Sequence, residues 1–199
     1  MRLLSPKVKK ILIKDKLKKQ EIGIGIKRDM FEDQVKIVYL SIGSNLGDRL
    51  TNIESTKKLL ILNEIFIQDS SSYYETPSWP NRNFPKFYNI ILKVKVDISL
   101  IALFKVVKNI EKKVGRKKSL KNHPRICDID IIDFKGINLK TEFNGQEIEA
   151  PHPKMHKRNF VIFPLYELNK NWIHPKTKVK INHIINQFKG LELSDIRIV

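Results

Sequence analysis

PRICDIDIIDF, residues 124–134, has the alternating pattern of a β-strand, in which side chains two positions apart lie on the same face. One face is therefore predicted to carry Ile126, Asp128, Asp130, Ile132 and Phe134, and the other Cys127, Ile129, Ile131 and Asp133. Two carboxylates roughly 5 Å apart repel each other by about 3 kcal/mol at an effective dielectric constant near 20. A divalent cation removes that repulsion, and Mg²⁺ commonly binds one or two protein carboxylates together with substrate phosphates.

Solvated acids on a half-exposed strand are the alternative explanation of this Asp-x-Asp pattern. Arg125 precedes the pair, and the remaining residues of both faces are mostly apolar. An arginine offers a planar fork that can bind phosphate oxygens in two places. These neighbours favour a metal and phosphate site over a solvated surface.

The composition is that of one globular unit with a strong positive charge. The chain has 199 residues, of which 41% are hydrophobic, enough for a substantial core. Its formal charge of +17 indicates anionic partners such as nucleotide phosphates or nucleic acid, although a general lysine bias would also produce it. The arginines in or beside the motifs described below are Arg49, Arg82, Arg116, Arg125 and Arg158.

Cysteine usage and hydropathy restrict the cellular compartments in which the protein is expected. Cys127 is the only cysteine, which excludes a disulfide framework, and its apolar strand face predicts a buried thiol. No apolar run approaches the roughly 20 residues that span a bilayer, and the N-terminus lacks the pattern of a secretory signal. We therefore expect a soluble, cytoplasmic protein that has no membrane partner and is a monomer.

The order of the predicted elements defines the fold class. Residues 1–34 are rich in lysine and are predicted to form a basic, poorly ordered extension before a domain at residues 35–199. Strands are predicted at residues 35–42, 65–74, 86–96 and 124–134, and helices at 49–63, 99–114, 160–168 and 181–188. The core order β-α-β-β-α-β is that of the ferredoxin-like α+β fold, here with helices on both faces of an antiparallel sheet.

Local signals refine this prediction. Thr51 and Glu54 have the spacing of a capping box in the first helix, whose apolar face is predicted to carry Leu50, Ile53, Leu60 and Ile61. Ser99 is predicted to cap the second helix and Gly115 to end it. In the strand at residues 86–96, Asn89 shares a face with Phe87, opposite an apolar stripe.

The chain carries five motifs in a fixed order. GSNLGDR occupies residues 43–49, the loop residues Tyr74, Thr76 and Pro77 follow, and FYN occupies residues 87–89. PRICDID then occupies residues 124–130 and PHPKMHKRNF residues 151–160. Together these motifs resemble those of the 6-hydroxymethyl-7,8-dihydropterin pyrophosphokinase family of folate biosynthesis, over about residues 35–190.

The resemblance implies an enzyme that transfers the diphosphate unit of ATP to the hydroxymethyl group of the dihydropterin and releases AMP. It implies that Asp128 and Asp130 hold two Mg²⁺ ions, with Arg116 and Arg125 as further catalytic residues. The implied ATP-binding residues are Glu111, Arg116, Lys118, Arg125, Ile131, His152 and Arg158. The implied pterin-binding residues are Gly43, Thr76, Pro77, Trp79, Phe87, Asn89 and Phe160.

An RNA-binding module is the main alternative, since a positively charged ferredoxin-like sheet can stack bases on its aromatic side chains. Asp128 and Asp130 stand where such aromatics are expected and would repel a phosphate backbone, so no specific nucleic-acid partner is expected. A nucleotidyltransferase is a second alternative. Its Gly-Ser pair lies close before the acids, whereas Gly43 and Asp128 are separated by most of the domain.

Other interpretations apply to single residues. Phe87 and Phe160 could be core residues, and Arg116 could lie on a solvated face. His152 and His156 could suggest a zinc pair, but prolines surround them and further ligands are lacking. Lys118 stands where the family often has a second arginine, and lysine supplies the charge without the planar fork.

Overall fold

A computed structural model of the protein describes residues 36–117, 120 and 122–199. The predicted basic extension at residues 1–34 and the predicted ATP-binding residue Lys118 lie outside these ranges. Among the described helices, none combines the length and the apolar character needed to cross a membrane.

The secondary structure follows the predicted order with additions at the C-terminal end. The strands are β1 (Lys36–Ser44), β2 (Phe66–Ser70), β3 (Tyr74–Thr76), β4 (Phe87–Val96), β5 (Asp128–Phe134), β6 (Leu139–Phe143), β7 (Gln146–Ala150) and β8 (Arg197–Ile198). The helices are α1 (Arg49–Leu62), α2 (Leu100–Val114), a 3-10 helix (Met155–Lys157), α3 (Asn159–Leu168), α4 (Ile181–Ile185) and α5 (Leu191–Ser194).

The main sheet is antiparallel and has the strand order β5-β1-β4-β3-β8, with β2 also paired to β4. The central strands β1 and β4 therefore lie between β5 on one side and β2 and β3 on the other. This arrangement confirms the ferredoxin-like α+β fold. The strands β6 and β7 form a separate hairpin.

Each face of the sheet is covered by its own core. On the first face, α1 and α2 pack through residues that include Ile53, Leu60, Leu103, Val107 and Ile110. On the second face, α3 and α4 pack through residues that include Val161, Ile162, Leu165, Ile181 and Ile184. Helices on both faces are thus confirmed, and the second layer covers only part of its face.

The ends of the two large helices have local causes. Ser99 caps α2 by accepting a hydrogen bond from the Ala102 amide, and Gly115 ends the helix with a left-handed φ of 113°, as predicted. The capping box predicted for α1 is wrong. Asp48 is the N-cap: its side chain accepts from Thr51 N and Thr51 Oγ1, and its carbonyl oxygen accepts the first helical hydrogen bond, from Asn52 N.

The predicted apolar face of α1 is only half correct. Ile53 and Leu60 are fully buried, but Leu50 and Ile61 are exposed. Leu50 lies in the first turn and Ile61 lies next to the C-terminal end of the helix, and both are on the side turned away from the sheet.

A β-bulge makes the alternation predicted for β5 wrong after Ile132, which lies on its predicted face. Leu40 pairs with Ile131 and Tyr39 pairs with Asp133, so Ile132 is an extra residue in β5. Phe134 therefore joins the first core, whereas Ile132 belongs to the second. The prediction for Asp128 and Asp130 is unaffected, because both residues precede the bulge.

The predicted second strand is divided into β2 and β3. Ser71 lies between them, donates its amide hydrogen to Ile91 O and accepts from Ile91 N with its hydroxyl oxygen. A side chain thus replaces one backbone group of the ladder. The edge strand β8, which the sequence pattern did not predict, pairs with β3.

Candidate active site

A row of three paired residues crosses the second face of the sheet. Asn89 of β4 is opposite Gly43 of β1, and Gly43 is opposite Asp128 of β5. Because adjacent strands lie 4.7–4.9 Å apart, the backbones at Asn89 and Asp128 are separated by about 10 Å. A Cβ atom on Gly43 would lie 2.9 Å from Asn89 Oδ1 and 3.4 Å from Phe87 Cδ1. Glycine therefore keeps the space between the amide and the carboxylate open.

Asp128 is held by two arginines. Arg116 Nη1 donates to Asp128 Oδ1 (2.6 Å), and Arg125 Nη1 donates to Asp128 Oδ2 (3.0 Å). Arg116 follows the C-terminal end of α2, and Arg125 lies in the loop before β5. Two guanidinium groups from different elements thus meet at one partly exposed carboxylate, and the structure brings three of the predicted catalytic residues together.

Asp130 has a separate pair of basic neighbours. Arg158 Nη1 donates to Asp130 Oδ2 (2.7 Å), and His152 Nε2 lies 3.9 Å from the same oxygen. Burial raises the pKa of Asp130, but the positive charges of His152 and Arg158 outweigh it and hold the pKa below its ordinary value. Burial lowers the pKa of His152. The carboxylate at Asp130 is accordingly ionised at neutral pH.

Glu111 supports this cluster from beneath. Its buried carboxylate contacts Arg116 Nη1 (2.5 Å), accepts from Lys108 Nζ (3.0 Å) and accepts from the backbone amide of Ile129 (2.8 Å). The carboxylate is thus fully engaged with protein groups. These contacts make Glu111 a positioning residue for Arg116 and β5, and its predicted place at the ATP site stays a prediction.

Ile131, another predicted ATP-binding residue, has its side chain on the other face of the sheet. This side chain belongs to the first core, opposite Asp128 and Asp130. A contribution of Ile131 to the ATP site stays a prediction, and its side chain does not face the carboxylate pair. The alternation of β5 itself carried the signal, since Ile131 follows Asp130 directly.

Most of the predicted pterin residues cluster around Asn89. Its Nδ2 donates to Thr76 Oγ1 (3.0 Å), and both residues are buried. Phe87 is partly buried on the same face as Asn89 and lies beside Gly43. Pro77 follows Thr76 and is partly buried. Amide, hydroxyl and aromatic groups are thus brought together next to the carboxylate cluster.

The other two predicted pterin residues lie further out. Phe160 is partly buried at the start of α3, packs against the second core and lies 5.7 Å from the guanidinium carbon of Arg158. Trp79 is 77% exposed in the loop at residues 77–86. The role of Trp79 as a pterin-binding residue therefore stays a prediction.

Asn45 is a site residue that the sequence analysis did not single out. Its Oδ1 accepts from Arg125 N (2.8 Å), and its Nδ2 donates to Pro85 O (3.0 Å) and to Ser78 Oγ (3.3 Å). The side chain thereby joins the loop before β5 to the loop at residues 77–86. A buried asparagine inside the GSNLGD motif was the available signal, because a buried amide requires partners.

The donor set fits a magnesium ion whose coordination is completed by a substrate. Asp128 and Asp130 offer hard carboxylate oxygens on one face of β5, and both are partly exposed. Across the described residues, no group of three or more His, Cys, Asp and Glu could hold a metal ion by protein ligands alone. Two carboxylates surrounded by arginines match Mg²⁺ bound together with phosphates.

Fold and site together define a class: a ferredoxin-like α+β protein with an arginine-flanked carboxylate pair of the kind used in phosphoryl transfer. The family model described as 7,8-dihydro-6-hydroxymethylpterin-pyrophosphokinase matches residues 39–170, more than half of the chain. The chain belongs to this pyrophosphokinase family, and the sequence-based identification is confirmed.

Curated relatives agree with the family assignment. A folic acid synthesis protein of Dictyostelium discoideum is 40% identical over 148 residues, which cover 74% of this chain but 22% of that protein. The 2-amino-4-hydroxy-6-hydroxymethyldihydropteridine pyrophosphokinase of Aquifex aeolicus is 39% identical over 139 residues, which cover 69% of this chain and 83% of that enzyme. The chain thus spans about a fifth of the first relative and most of the second.

Solved structures support the fold. The Plasmodium falciparum HPPK-DHPS wild-type structure aligns with a TM-score of 0.67 at 14% identity, over 83% of this chain and 48% of that chain. A mutant of the same protein with pterin and p-hydroxybenzoate aligns with a TM-score of 0.64 at 15% identity, over 85% of this chain and 48% of that chain. At such identities the likeness shows the fold alone.

Proposed function

We propose that this chain transfers the diphosphate unit of ATP to the hydroxymethyl oxygen of 6-hydroxymethyl-7,8-dihydropterin and releases AMP. The observation that carries the proposal is the row Asn89, Gly43 and Asp128, which puts a recognition amide and a carboxylate on one face of the sheet. One substrate can be bound at each end of this row, with the reacting groups between them. Such positioning accounts for much of the rate of phosphoryl-type transfer.

In the proposed reaction, the hydroxymethyl oxygen attacks the β-phosphorus of ATP. The bond from that phosphorus to the oxygen it shares with the α-phosphate breaks, and AMP leaves with that oxygen. The alcohol proton goes to solvent or to a nearby base, and the product carries the β- and γ-phosphates. Arg116, Arg125 and Arg158 are proposed to hold phosphate oxygens, because each already binds a carboxylate oxygen through Nη1 at the same cluster.

Asp128 and Asp130 are proposed to hold the magnesium, with two ions expected. Mg²⁺ bound there would neutralise the triphosphate charge and align it for in-line attack. The chain's own contribution is to place positive charge beside both carboxylates: Arg158 contacts Asp130, and the two other arginines contact Asp128. Lys118 is proposed to add a positive charge from the loop after α2.

The pterin is proposed to bind against Asn89. A flat heterocycle with an amide-like edge needs stacking and a few directed hydrogen bonds. Asn89 and Thr76 supply polar groups, Phe87 and Phe160 supply aromatic surface, and Gly43 leaves room for the ring. Pro77 and Trp79 lie at the start of the loop at residues 77–86, which we propose closes over the bound ring.

The remaining features of the proposal concern the whole chain. Residues 35–199 are proposed to be the catalytic domain and residues 1–34 a basic extension, in a monomeric cytoplasmic enzyme that acts on small molecules. The free, buried thiol of Cys127 is consistent with a reducing compartment. The RNA-binding alternative is not supported by the family assignment.

Product analysis tests this function. The protein is incubated with ATP and Mg²⁺, with and without hydroxymethyl-dihydropterin, and nucleotides are separated by chromatography. The proposal requires AMP that depends on the pterin and a pterin product that carries two phosphates. Formation of ADP, or of AMP at the same rate without the pterin, would show that the assignment is wrong.

A further inference from the structure

A cavity of about 460 Å³ lies next to the start of α1 and does not include Asp128 or Asp130 in its lining. Its lining consists of Asn45, Leu46, Gly47, Arg49, Glu75, Pro85, Lys86 and Arg197. Glu75 precedes Thr76 in β3 and is opposite Tyr88, which packs against the first core. The Glu75 side chain therefore lies on the first face of the sheet, whereas Asn89 and Asp128 lie on the second. We call this cavity the cationic pocket.

Three basic side chains meet at one carboxylate in the cationic pocket. Arg197 Nη2 donates to Glu75 Oε1 (2.6 Å), and Lys86 Nζ donates to the same oxygen (3.2 Å). Arg49 Nη1 lies 3.5 Å from Glu75 Oε2 and donates to Lys86 O (2.9 Å). Burial raises the pKa of Glu75. Its hydrogen bonds to Lys86 and Arg197 lower the pKa by more than burial raises it, so Glu75 is ionised.

The positive charge of the cationic pocket exceeds what Glu75 needs. One cation neutralises one carboxylate, and two further positive charges remain at the wall of the cavity. An ammonium group has three donors and a guanidinium group five, which is more than one carboxylate can accept. The side chains of Arg197 and Lys86 are 65% and 52% exposed, so their remaining donors can reach a ligand. A concave wall with this charge concentrates anions.

We propose that the cationic pocket binds a phosphate group, either free or as the monoester of a small molecule. A phosphate dianion matches the two charges that Glu75 leaves uncompensated. The volume lies within the usual range for small-molecule sites and exceeds what a single phosphate fills. The arginines can bind phosphate oxygens in two places, and Lys86 adds a point charge. The proposed transfer reaction assigns no role to the side chains of Arg49, Lys86 and Arg197.

Site-resolved NMR titration tests the proposal. Wild-type ¹⁵N-labelled protein is titrated with inorganic phosphate and, separately, with glycerol 3-phosphate, in the absence of Mg²⁺. The amide signals of Gly47 and Lys86 report on the cationic pocket, and those of Asp128 and Asp130 report on the candidate active site. We expect the signals of Gly47 and Lys86 to shift with a dissociation constant that differs from the one for Asp128 and Asp130.

Matched variants assign the signal changes. Arg197→Gln and Lys86→Gln should each weaken binding in the pocket about tenfold or more, because each removes a charge-assisted hydrogen bond. Lys170→Gln removes an exposed positive charge after α3 and should leave phosphate binding in the cationic pocket unchanged. Arg158→Gln in the candidate active site should also leave that binding unchanged. Circular dichroism checks each fold, and Lys86→Gln decides the matter if Arg197→Gln is unstable.

Each outcome bears on the proposal. Tighter binding of glycerol 3-phosphate than of phosphate supports an esterified ligand, and equal binding supports the free anion. Signal changes confined to Asp128, Asp130 and their neighbours would overturn the proposal, because phosphate would then bind only in the active site. Unchanged affinity in both Arg197→Gln and Lys86→Gln, or an equal loss in Lys170→Gln, would overturn it as well.

Discussion

At the scale of single residues, Asp128 and Asp130 are two carboxylates with different surroundings. Asp128 contacts Arg116 and Arg125, whereas Asp130 contacts Arg158 and lies close to His152. Basic groups from three separate segments therefore stabilise one negatively charged strand surface. Their removal or neutralisation should affect the chemistry more than the fold.

Asp130→Asn is the most direct substitution at this scale. The amide keeps the shape of the side chain but loses the charge that would bind the metal and pair with Arg158. We expect turnover to fall by about 10²–10³-fold, the usual effect of losing one preorganised electrostatic group. Steady-state kinetics measures this loss. Asp97→Asn, at an exposed position after β4, is the matched control and should retain full activity. Full activity in Asp130→Asn would mean that this carboxylate does not hold the metal.

Asn89→Ala tests the other end of the row. Asn89 lies beside Gly43 and donates to Thr76, and its amide can match the polar edge of the pterin. We expect pterin binding to weaken by about 1–3 kcal/mol, because the partner groups of the amide lose a buried hydrogen bond. ATP affinity should stay the same. Calorimetric titration with each substrate separates the two effects. A loss of affinity confined to ATP would mean that Asn89 belongs to the ATP site and that its assignment to the pterin site is wrong.

At the scale of secondary-structure elements, Glu111 connects helix α2 to strand β5. It accepts from Ile129 N at the start of the strand and contacts Arg116 just after the helix. Burial raises the pKa of Glu111, although Lys108 and Arg116 oppose that effect. A single buried carboxylate therefore fixes an arginine and a strand relative to each other.

Glu111→Gln should separate positioning from stability. The glutamine oxygen can still accept from Ile129 N, but the charge that orients Arg116 is lost. We expect kcat to fall about tenfold and KM for ATP to rise several-fold, the scale of a misplaced charged hydrogen bond. The KM for the pterin should not change. An equal loss of pterin affinity would indicate a general structural defect instead. Lys108→Gln, which removes the second basic partner of Glu111 and leaves Arg116 in place, is the control.

Asp133 ties β5 to the C-terminal layer. Its Oδ2 accepts from Trp172 Nε1 (2.7 Å) and its Oδ1 accepts from Gly136 N (2.9 Å). Asp133→Ala leaves the buried indole N–H without its acceptor, which should lower the free energy of unfolding by roughly 2–3 kcal/mol. Urea denaturation measures this change. Asp97→Ala, at an exposed position, should stay within about 0.5 kcal/mol of the wild type. A similar small change in Asp133→Ala would mean that this bond contributes little.

The sequence predicted the elements whose signals are local. Strand alternation placed Asn89, Asp128 and Asp130 on the correct face, and Ser99 and Gly115 marked the ends of α2 correctly. These features depend only on neighbouring residues. The spacing of side chains along one strand or helix is sufficient to predict them.

Other features depend on partners that are distant in the chain. The bulge at Ile132 arises from the pairing of β5 with β1, and the pattern of one strand cannot reveal it. The roles of Asn45 and Glu111 follow from contacts with Arg125, Pro85 and Ile129, which only the folded sheet brings near. Asp48 caps α1 instead of Thr51, and this local signal was not singled out from the sequence.

At the scale of the whole molecule, the sheet fixes the distance between two substrate sites. The register of β4, β1 and β5 sets Asn89 and Asp128 two strands apart, and Gly43 leaves the path between them open. The two helical layers hold this register from both faces. We therefore propose that a magnesium-bound triphosphate and a pterin bind side by side on the second face.

Paramagnetic relaxation tests this geometry most directly. Mn²⁺ replaces Mg²⁺, α,β-methylene-ATP supplies a triphosphate whose reactive bond cannot break, and NMR measures the relaxation of the protons of bound hydroxymethyl-dihydropterin. Because the two ends of the row are about 10 Å apart, we predict strong enhancement of the pterin proton relaxation by Mn²⁺ that disappears in Asp130→Asn. Relaxation equal to that with Mg²⁺, while titrations show both ligands bound, would contradict the account.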